Sequence, residues 1–189
     1  MLKYFIHEKA WSESKNIGIN TKVWAFTHIL PESEIGSECN IGEHCYIEND
    51  VIIGNDVTIK NGISIWDGIT IEDKVFLGPN MVFTNDIMPR SKNRENVLVK
   101  TLVKKGASIG ANATIIGGCT IGQYAMIGAG SVVTKDVMDF SLCYGNPAKH
   151  KGFICKCGAK LAFVNNNAIC SCGLRYILDN NGICRLKLQ

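Results

Sequence analysis

This 189-residue chain is poor in the features that mark membrane, exported or nucleic-acid-binding proteins. Charged residues make up only 20% and the formal net charge is +3, a balance too mild to call for a polyanionic partner or a lipid surface. No apolar run approaches the ~20 residues of a membrane helix. The opening Met1-Leu2-Lys3-Tyr4-Phe5-Ile6-His7-Glu8 has no apolar stretch of the kind a secretory signal carries. With no export signal, nine cysteines read as reduced thiols or metal ligands, so no disulfide framework is expected. A cytoplasmic protein without nucleic-acid or membrane partners is the expectation. Histidine is scarce too: His7, His28, His44 and His150 are scattered, which argues against a trio of metal histidines as in a carbonic-anhydrase-like site.

What the chain has in abundance is a period of six. From Phe5 and Trp11 through Ile17, Val23, Ile29, Ile35, Ile41, Ile47, Ile53, Ile59, Ile65 and Ile71 to Leu77 and Phe83, every sixth residue is large and apolar. Neither a helix nor a flat strand repeats at that spacing, whereas a parallel β-helix does. A second column two residues earlier (Val51, Val57, Ile63, Ile69, Val75, Met81, preceded by Cys39 and Cys45) faces the same side of each short strand. The register breaks at about 84–102 in a polar, charged stretch, which predicts a loop leaving the solenoid. It resumes as Val103, Ile109, Ile115, Ile121, Ile127 and Val133, partnered by the small Ala107, Ala113, Cys119, Ala125 and Ser131. The predicted organisation is an all-β parallel β-helix over 1–138, a closing segment over 139–154, and a cysteine-bearing tail over 155–189.

If three hexads make one coil, residues eighteen apart stack along the axis, about 4.8 Å apart. Asn49, Asp67 and Asn85 then fall in one outward column, beside Glu48, Trp66 and Thr84. Amides, carboxylates and a tryptophan therefore converge where the loop departs. A ladder of solvated turn residues is the plain alternative, because Asn and Asp favour corners.

These segments resemble those of the hexapeptide acyltransferases, and within them the N-acetyltransferases of nucleotide-linked 3-amino sugars of bacterial surface polysaccharides. The resemblance rests on Lys22-Val23-Trp24-Ala25-Phe26-Thr27-His28, Tyr46-Ile47-Glu48-Asn49-Asp50-Val51, Trp66-Asp67-Gly68, Phe83-Thr84-Asn85-Asp86 with Pro89-Arg90-Ser91-Lys92, Gly106–Ile115, and Tyr144-Gly145-Asn146-Pro147-Ala148. It covers about residues 4–150 and implies a left-handed β-helix, a homotrimer and acetyl-CoA as acyl donor. It implies that Asp67, Asn85 and Asp86 surround the reactive amine of a UDP- or dTDP-linked sugar. Ala107, Ala125, Asn146 and Pro147 are implied to line the CoA groove between subunits. No motif places a general-base histidine.

Acyl transfer from a thioester to an amine needs a neutral amine, oxyanion donors and a destination for the proton. Asp67 or Asp86 can orient the amine or accept that proton, and Asn85 can hold it. Backbone N–H groups are the expected oxyanion donors. His28, next to inward Ile29, should point outward, to touch the nucleotide, act as a base or simply meet solvent or a subunit. Arg90, Lys92 and Arg94 on the loop suit a diphosphate or plain solvation. Cys39, Cys45 and Cys119 belong to the small inward column, which speaks for packing over catalysis. In the tail, Cys155 and Cys157 with Cys170 and Cys172 form two short knuckles, which suit a structural zinc, although one-residue spacing within each pair strains a shared tetrahedron. Cys184 is expected to pack. Two rival functions share the scaffold: O-acyl transfer, and a non-catalytic scaffold with a zinc-ribbon binding tail. The tail's Lys156, Lys160, Arg175, Arg185 and Lys187, with only Phe163 and Tyr176 as aromatics, make a thin nucleic-acid platform.

Overall fold

The computed structural model describes residues 4–92 and 98–187. Arg94, which the sequence places on the loop as a substrate contact, lies outside them. The described residues contain no helix; they form a β-solenoid of the left-handed β-helix class, made of strands mostly two residues long. One face stacks Phe5–Ile6, Lys22–Val23, Asn40–Ile41, Thr58–Ile59, Phe76–Leu77, Ser108–Ile109, Met126–Ile127 and Ser141–Tyr144, with the coils paired parallel throughout. Trp11–Ser12, His28–Ile29, Tyr46–Ile47 and Ser64–Ile65 build a second face, with Val82–Phe83, Thr114–Ile115 and Val132–Val133 beyond. A third face holds Glu34–Ile35, Ile52–Ile53, Ile69–Ile71, Thr101–Val103 and Thr120–Ile121.

The pairing spells out the coil length. Lys22 meets Asn40 and Asn40 meets Thr58, each eighteen residues on. In such a strand the first residue faces out and the second in, so the hexad column fills the interior: Ile29, Ile41, Ile47, Ile59, Ile65 and Ile71 are fully buried. The second column is buried as well, from Cys39 and Val57 to Ala113 and Ser131. β-Branched isoleucine suits this site because its stiff side chain packs against copies of itself one coil away. Corners need small residues where coils touch. A Cβ on Gly36 would lie 2.4 Å from the carbonyl oxygen of Gly54, closer than any side chain tolerates.

Two departures from the eighteen-residue coil matter. Thr70 pairs with Leu102, thirty-two residues on, so the loop adds fourteen residues and leaves the coil closed around it. In the first coil Phe5 pairs with Lys22 and Trp11 with His28, each only seventeen residues on, whereas Ile17 already meets Ile35 at eighteen. The hexad between Ser12 and Ile17 is one residue short. A one-residue shift reverses every side chain of a strand. The six-residue count puts Phe5 and Trp11 inside; the structure exposes them by 46% and 62% and sends Ile6 and Ser12 inward instead.

The parallel ladder ends with Ser141–Tyr144, which pairs with Met126–Ile127. Ser141–Tyr144 is followed by antiparallel Lys149–Ile154 and Lys160–Leu161, then by a small sheet of Asn167–Ile169, Arg175–Leu178 and Cys184–Leu186. This part has its own core of Phe140, Cys155, Ala168, Cys170, Tyr176 and Cys184. Tyr124 stacks on Phe140 at 5.6 Å and Phe140 meets Tyr176 edge-on at 5.4 Å, which couples the last coil to the tail. Ile59→Ala, at a fully buried position, should lower the unfolding free energy by about 2–5 kcal/mol in urea titrations. Ile52→Ala, 47% exposed on an outer face, should change it by no more than about 0.5 kcal/mol.

Candidate active site

The corner after Ser64–Ile65 and the root of the loop form one polar cluster. Asp67 donates its backbone N–H to Glu48 Oε2 at 2.8 Å, and its own Oδ1 accepts the Asp50 N–H at 2.8 Å. One coil further, Asn85 Nδ2 donates to the Asp67 carbonyl at 3.2 Å. Asn49 lies one coil back, where its Oδ1 accepts the Glu32 N–H at 3.1 Å. The stacked column expected from eighteen-residue spacing is thus present, and much of its polar capacity is spent on capping backbone groups. The same happens at an unrelated corner, where Asn55 Oδ1 accepts the Ser37 N–H at 2.8 Å and Asp73 Oδ1 the Asn55 N–H at 2.9 Å. There the Asn55 N–H, then the Lys105 ammonium, hold the Asp73 carboxyl below the usual carboxylate range. Both aspartates line clefts, and Asp67 differs in its second oxygen, since Asp73 Oδ2 takes the Lys105 ammonium at 3.3 Å. With Asp50, Gly68, Leu98, Val99 and Lys100, Asp67 lines a cleft of about 60 Å³, where the loop returns to the solenoid, and its Oδ2 accepts none of the described hydrogen bonds.

The loop root is fixed by several contacts. Val99 N–H donates to the Asn85 carbonyl at 2.9 Å, and Asp86 and Leu98 form an antiparallel bridge. Thr84 Oγ1 accepts the Gly117 N–H from the next coil at 3.0 Å. Asp86 Oδ1 turns to the Met88 N–H at 2.9 Å, capping the loop's first turn. Trp66, expected to stand outward, is half-buried against the core with Nε1 donating to the Phe83 carbonyl at 2.9 Å. Arg90 and Lys92 are exposed on the loop, and Arg90 donates Nη1 to the neighbouring Pro89 carbonyl at 3.1 Å. Ala107 and Ala125, expected along the CoA groove, direct their side chains inward and are buried. Each is at most 1% exposed over the whole residue, and their N–H and C=O groups pair within the solenoid, so a ligand on this face meets the outward Ser108 and Met126 beside them. Asn146 and Pro147 are exposed in the closing segment, which is pinned by Gly145 N–H on Ser131 Oγ at 3.2 Å and Ala148 N–H on the Val132 carbonyl at 2.7 Å.

His28 is not isolated. It stacks on Trp11 with centroids 4.2 Å apart and planes at 4°, bonds Glu13 Oε1 through Nε2 at 3.0 Å, and meets Tyr46 edge-on at 5.5 Å. Tyr46 in turn lies 5.9 Å from Trp66. Trp11, Glu13 and Tyr46 are absent from the sequence-derived site. The short first hexad is the signal that would have turned Trp11 outward.

In the tail the four thiols come together. Sγ atoms of Cys155, Cys157, Cys170 and Cys172 all lie within 4.8 Å of one another, with Cys155–Cys172 and Cys157–Cys170 at 3.5 Å. The one-residue spacing within each pair does not keep them apart, because the pairs are matching turns. Gly158 N–H returns to the Cys155 carbonyl at 2.8 Å and Gly173 N–H to Cys170 at 2.9 Å, with φ of +91° and +90° that glycine supplies. Tyr176 donates its hydroxyl proton to Cys155 Sγ at 3.2 Å and accepts the Lys156 N–H at 3.0 Å. The Cys172 backbone N–H, then the neighbouring thiols, lower the Cys170 thiol to about 6, so the cluster offers a thiolate near neutrality. Tetrahedral zinc–thiolate bonds of about 2.3 Å set sulfurs roughly 3.8 Å apart, within the spread seen here. Elsewhere burial pushes the Cys39, Cys45, Cys119 and Cys143 thiols up, as expected of packing residues.

Comparison with known proteins agrees with this geometry. The family model of the bacterial transferase hexapeptide, six repeats, matches residues 14–49 and 100–135, and that of the hexapeptide repeat of succinyl-transferase matches 34–66. The chain belongs to the hexapeptide-repeat transferases. Over 172 residues it is 61% identical to the dTDP-3-amino-3,6-dideoxy-alpha-D-galactopyranose 3-N-acetyltransferase of Aneurinibacillus thermoaerophilus, covering 91% of this chain and 90% of that one. It belongs to that enzyme's family and is an acyl-CoA-dependent N-acyltransferase. Among solved structures, a hexapeptide-repeat acetyltransferase of Vibrio cholerae complexed with acetyl coenzyme A matches with a TM-score of 0.55 at 28% identity, over 61% of this chain and 67% of that one. A maltose O-acetyltransferase of Clostridium difficile matches with a TM-score of 0.56 at 27% identity, over 61% and 66%.

Thiol chemistry separates the two sets of cysteines. In the chelator-treated protein, iodoacetamide should label the thiol cluster of the tail, where Cys157 and Cys172 are exposed and Cys170 is the most acidic, and spare Cys39, Cys45 and Cys119. Peptide mass spectrometry after a short pulse reads this directly, and early labelling of Cys39 or Cys45 would contradict a packing role.

Proposed function

We propose that this enzyme transfers acetyl from acetyl-CoA to the amino group of a UDP- or dTDP-linked 3-amino sugar, in the synthesis of a bacterial surface polysaccharide such as lipopolysaccharide. The 61% identity across nine-tenths of the chain carries this reading. The enzyme works as a cytoplasmic homotrimer with CoA between subunits along the coils after the loop, near Asn146 and Pro147 and over the outward residues beside Ala107 and Ala125. The solenoid and its closing segment are the catalytic body. The tail over 155–189 is a stabilising unit in which Cys155, Cys157, Cys170 and Cys172 hold one zinc. The 3.5 Å pairs and the donor set support that assignment.

In the proposed mechanism the amine nitrogen attacks the thioester carbonyl carbon. The tetrahedral intermediate collapses with cleavage of the C–S bond, and the CoA thiolate takes the amine proton. Asp67 already commits Oδ1 to the Asp50 N–H, so its role is to orient the amine through Oδ2 while Asn85 and Asp86 complete the pocket. Glu48, Asn49, Trp66 and His28 shape the sugar and nucleotide path, with Arg90, Lys92 and Arg94 meeting the diphosphate.

Turnover of acetyl-CoA with a panel of nucleotide-linked amino sugars tests the activity, and mass analysis of the product distinguishes an amide from an ester. Asp67→Asn keeps the acceptor for Asp50 and removes only the charge. If Asp67 orients, the loss should be about tenfold and shared between kcat and KM. A loss of about a thousandfold confined to kcat, with the acidic limb of the pH profile gone, would make Asp67 the base, since removing a true base costs about 10²–10⁴. Asp86→Asn is read by the same criteria. For the tail, metal analysis should find one zinc per chain, and chelation should loosen the tail in hydrogen exchange before turnover falls; no bound metal would overturn the assignment.

A further inference from the structure

Trp11 and Ser12 stand in each other's expected places. Trp11 is 62% exposed, while the Ser12 hydroxyl is buried without a hydrogen-bond partner among the described residues. Apolar sorting alone would favour the opposite register, so the shortened hexad spends stability to hold an indole at the surface. That indole is also well ordered by its neighbours. One ring face lies flat on His28 at 4.2 Å, and Glu13 holds His28 from the side at 3.0 Å. The assembly is a rigid aromatic shelf with an open π surface.

Its position connects it to the amine site. Trp11, His28, Tyr46 and Ser64 are successive partners on one face, so the shelf lies three coils above the corner of Trp66 and Asp67. At roughly 4.8 Å per coil that is about 14 Å. A ligand with its amine at Asp67 and an aromatic group at Trp11 must be elongated and polar between its ends, as a nucleoside joined to a hexose through a diphosphate is.

We infer that Trp11, backed by His28 and Glu13, is the stacking platform for the pyrimidine base of the nucleotide-linked sugar. The inference rests on the nucleotide-sugar reading above and adds the element that recognises the nucleotide. Stacking reads a flat π face and leaves the sugar amine to the loop root, so the base end contributes affinity without entering the reacting geometry.

Calorimetric titration with dTDP and UDP, alongside acetyl-CoA, tests the shelf in the wild type and in Trp11→Phe, Trp11→Leu and Trp11→Ala. Loss of one base–aromatic stack weakens binding by about fivefold to a hundredfold. Trp11→Leu and Trp11→Ala should show that loss for the nucleoside diphosphate, and Trp11→Phe should retain most of the affinity. Binding of acetyl-CoA, kcat at saturating sugar and the sedimentation coefficient should stay at wild-type values. Leucine equal to tryptophan would show mere apolar cover and overturn the shelf. So would a loss confined to acetyl-CoA, which would assign the indole to the adenine of CoA, or a change in assembly, which would make Trp11 a subunit contact. Failure of the wild type to bind either nucleoside diphosphate while it acetylates some other amine would instead defeat the nucleotide-sugar reading, and the shelf with it.

Discussion

Parallel stacking of coils is the constraint on which everything else depends. Each coil gives its outward-running N–H and C=O groups to the next through bonds such as Asn40 N to the Val57 carbonyl at 2.9 Å. That ladder accepts only chain lengths that return the strand to the same place. Eighteen residues do so, and the interior columns then place isoleucine above isoleucine. The loop obeys the same rule: fourteen added residues leave and re-enter without disturbing the pairing of Ile69 with Thr101 or Ile71 with Val103. The excursion is tolerated because its two ends meet, with the Val99 N–H on the Asn85 carbonyl at 2.9 Å.

Corners are where this architecture meets chemistry. A coil corner exposes backbone donors that no strand partner satisfies, and Asn and Asp side chains one coil away accept them. Asn49 and Asp67 do this work, as do Asn55 and Asp73 on another edge. A carboxylate held by a backbone N–H on one oxygen is well oriented for a ligand on the other, and it cannot swing away. The difference between a structural corner and a candidate active one lies in the second carboxylate oxygen. Asp73 also lines a cleft, but its Oδ2 takes the Lys105 ammonium at 3.3 Å, whereas Asp67 Oδ2, in the cleft with Leu98, Val99 and Lys100, accepts none of the described hydrogen bonds.

The tail solves a different problem. A stretch of some thirty residues has too little apolar surface to fold by itself, and its small core is largely cysteine and one buried tyrosine. Tyr176 touches both the thiol cluster, through its hydroxyl, and the last coil, through Phe140. The order of the knuckles is thereby tied to the end of the solenoid.

The sequence by itself determined the solenoid, the position of the loop, both buried columns and the stacking of Asn49, Asp67 and Asn85. All follow from a period that survives in one dimension. It also carried the two cysteine knuckles, though spacing alone suggested strain that the paired glycine turns remove. Tertiary structure decided what the period could not express. A hexad one residue short turned Phe5 and Trp11 outward, because register is set by pairing with the next coil and not by the hydrophobicity of a single position. Trp66 is half-buried where an outward residue is expected, because the Phe83 carbonyl one coil on offers its indole N–H a partner. Ala107 and Ala125 face the interior, as their column requires, so contacts beside them belong to the outward Ser108 and Met126. The aromatic shelf of Trp11, His28 and Tyr46 exists only once three coils are stacked, since no two of its members are within sixteen residues of each other in the chain.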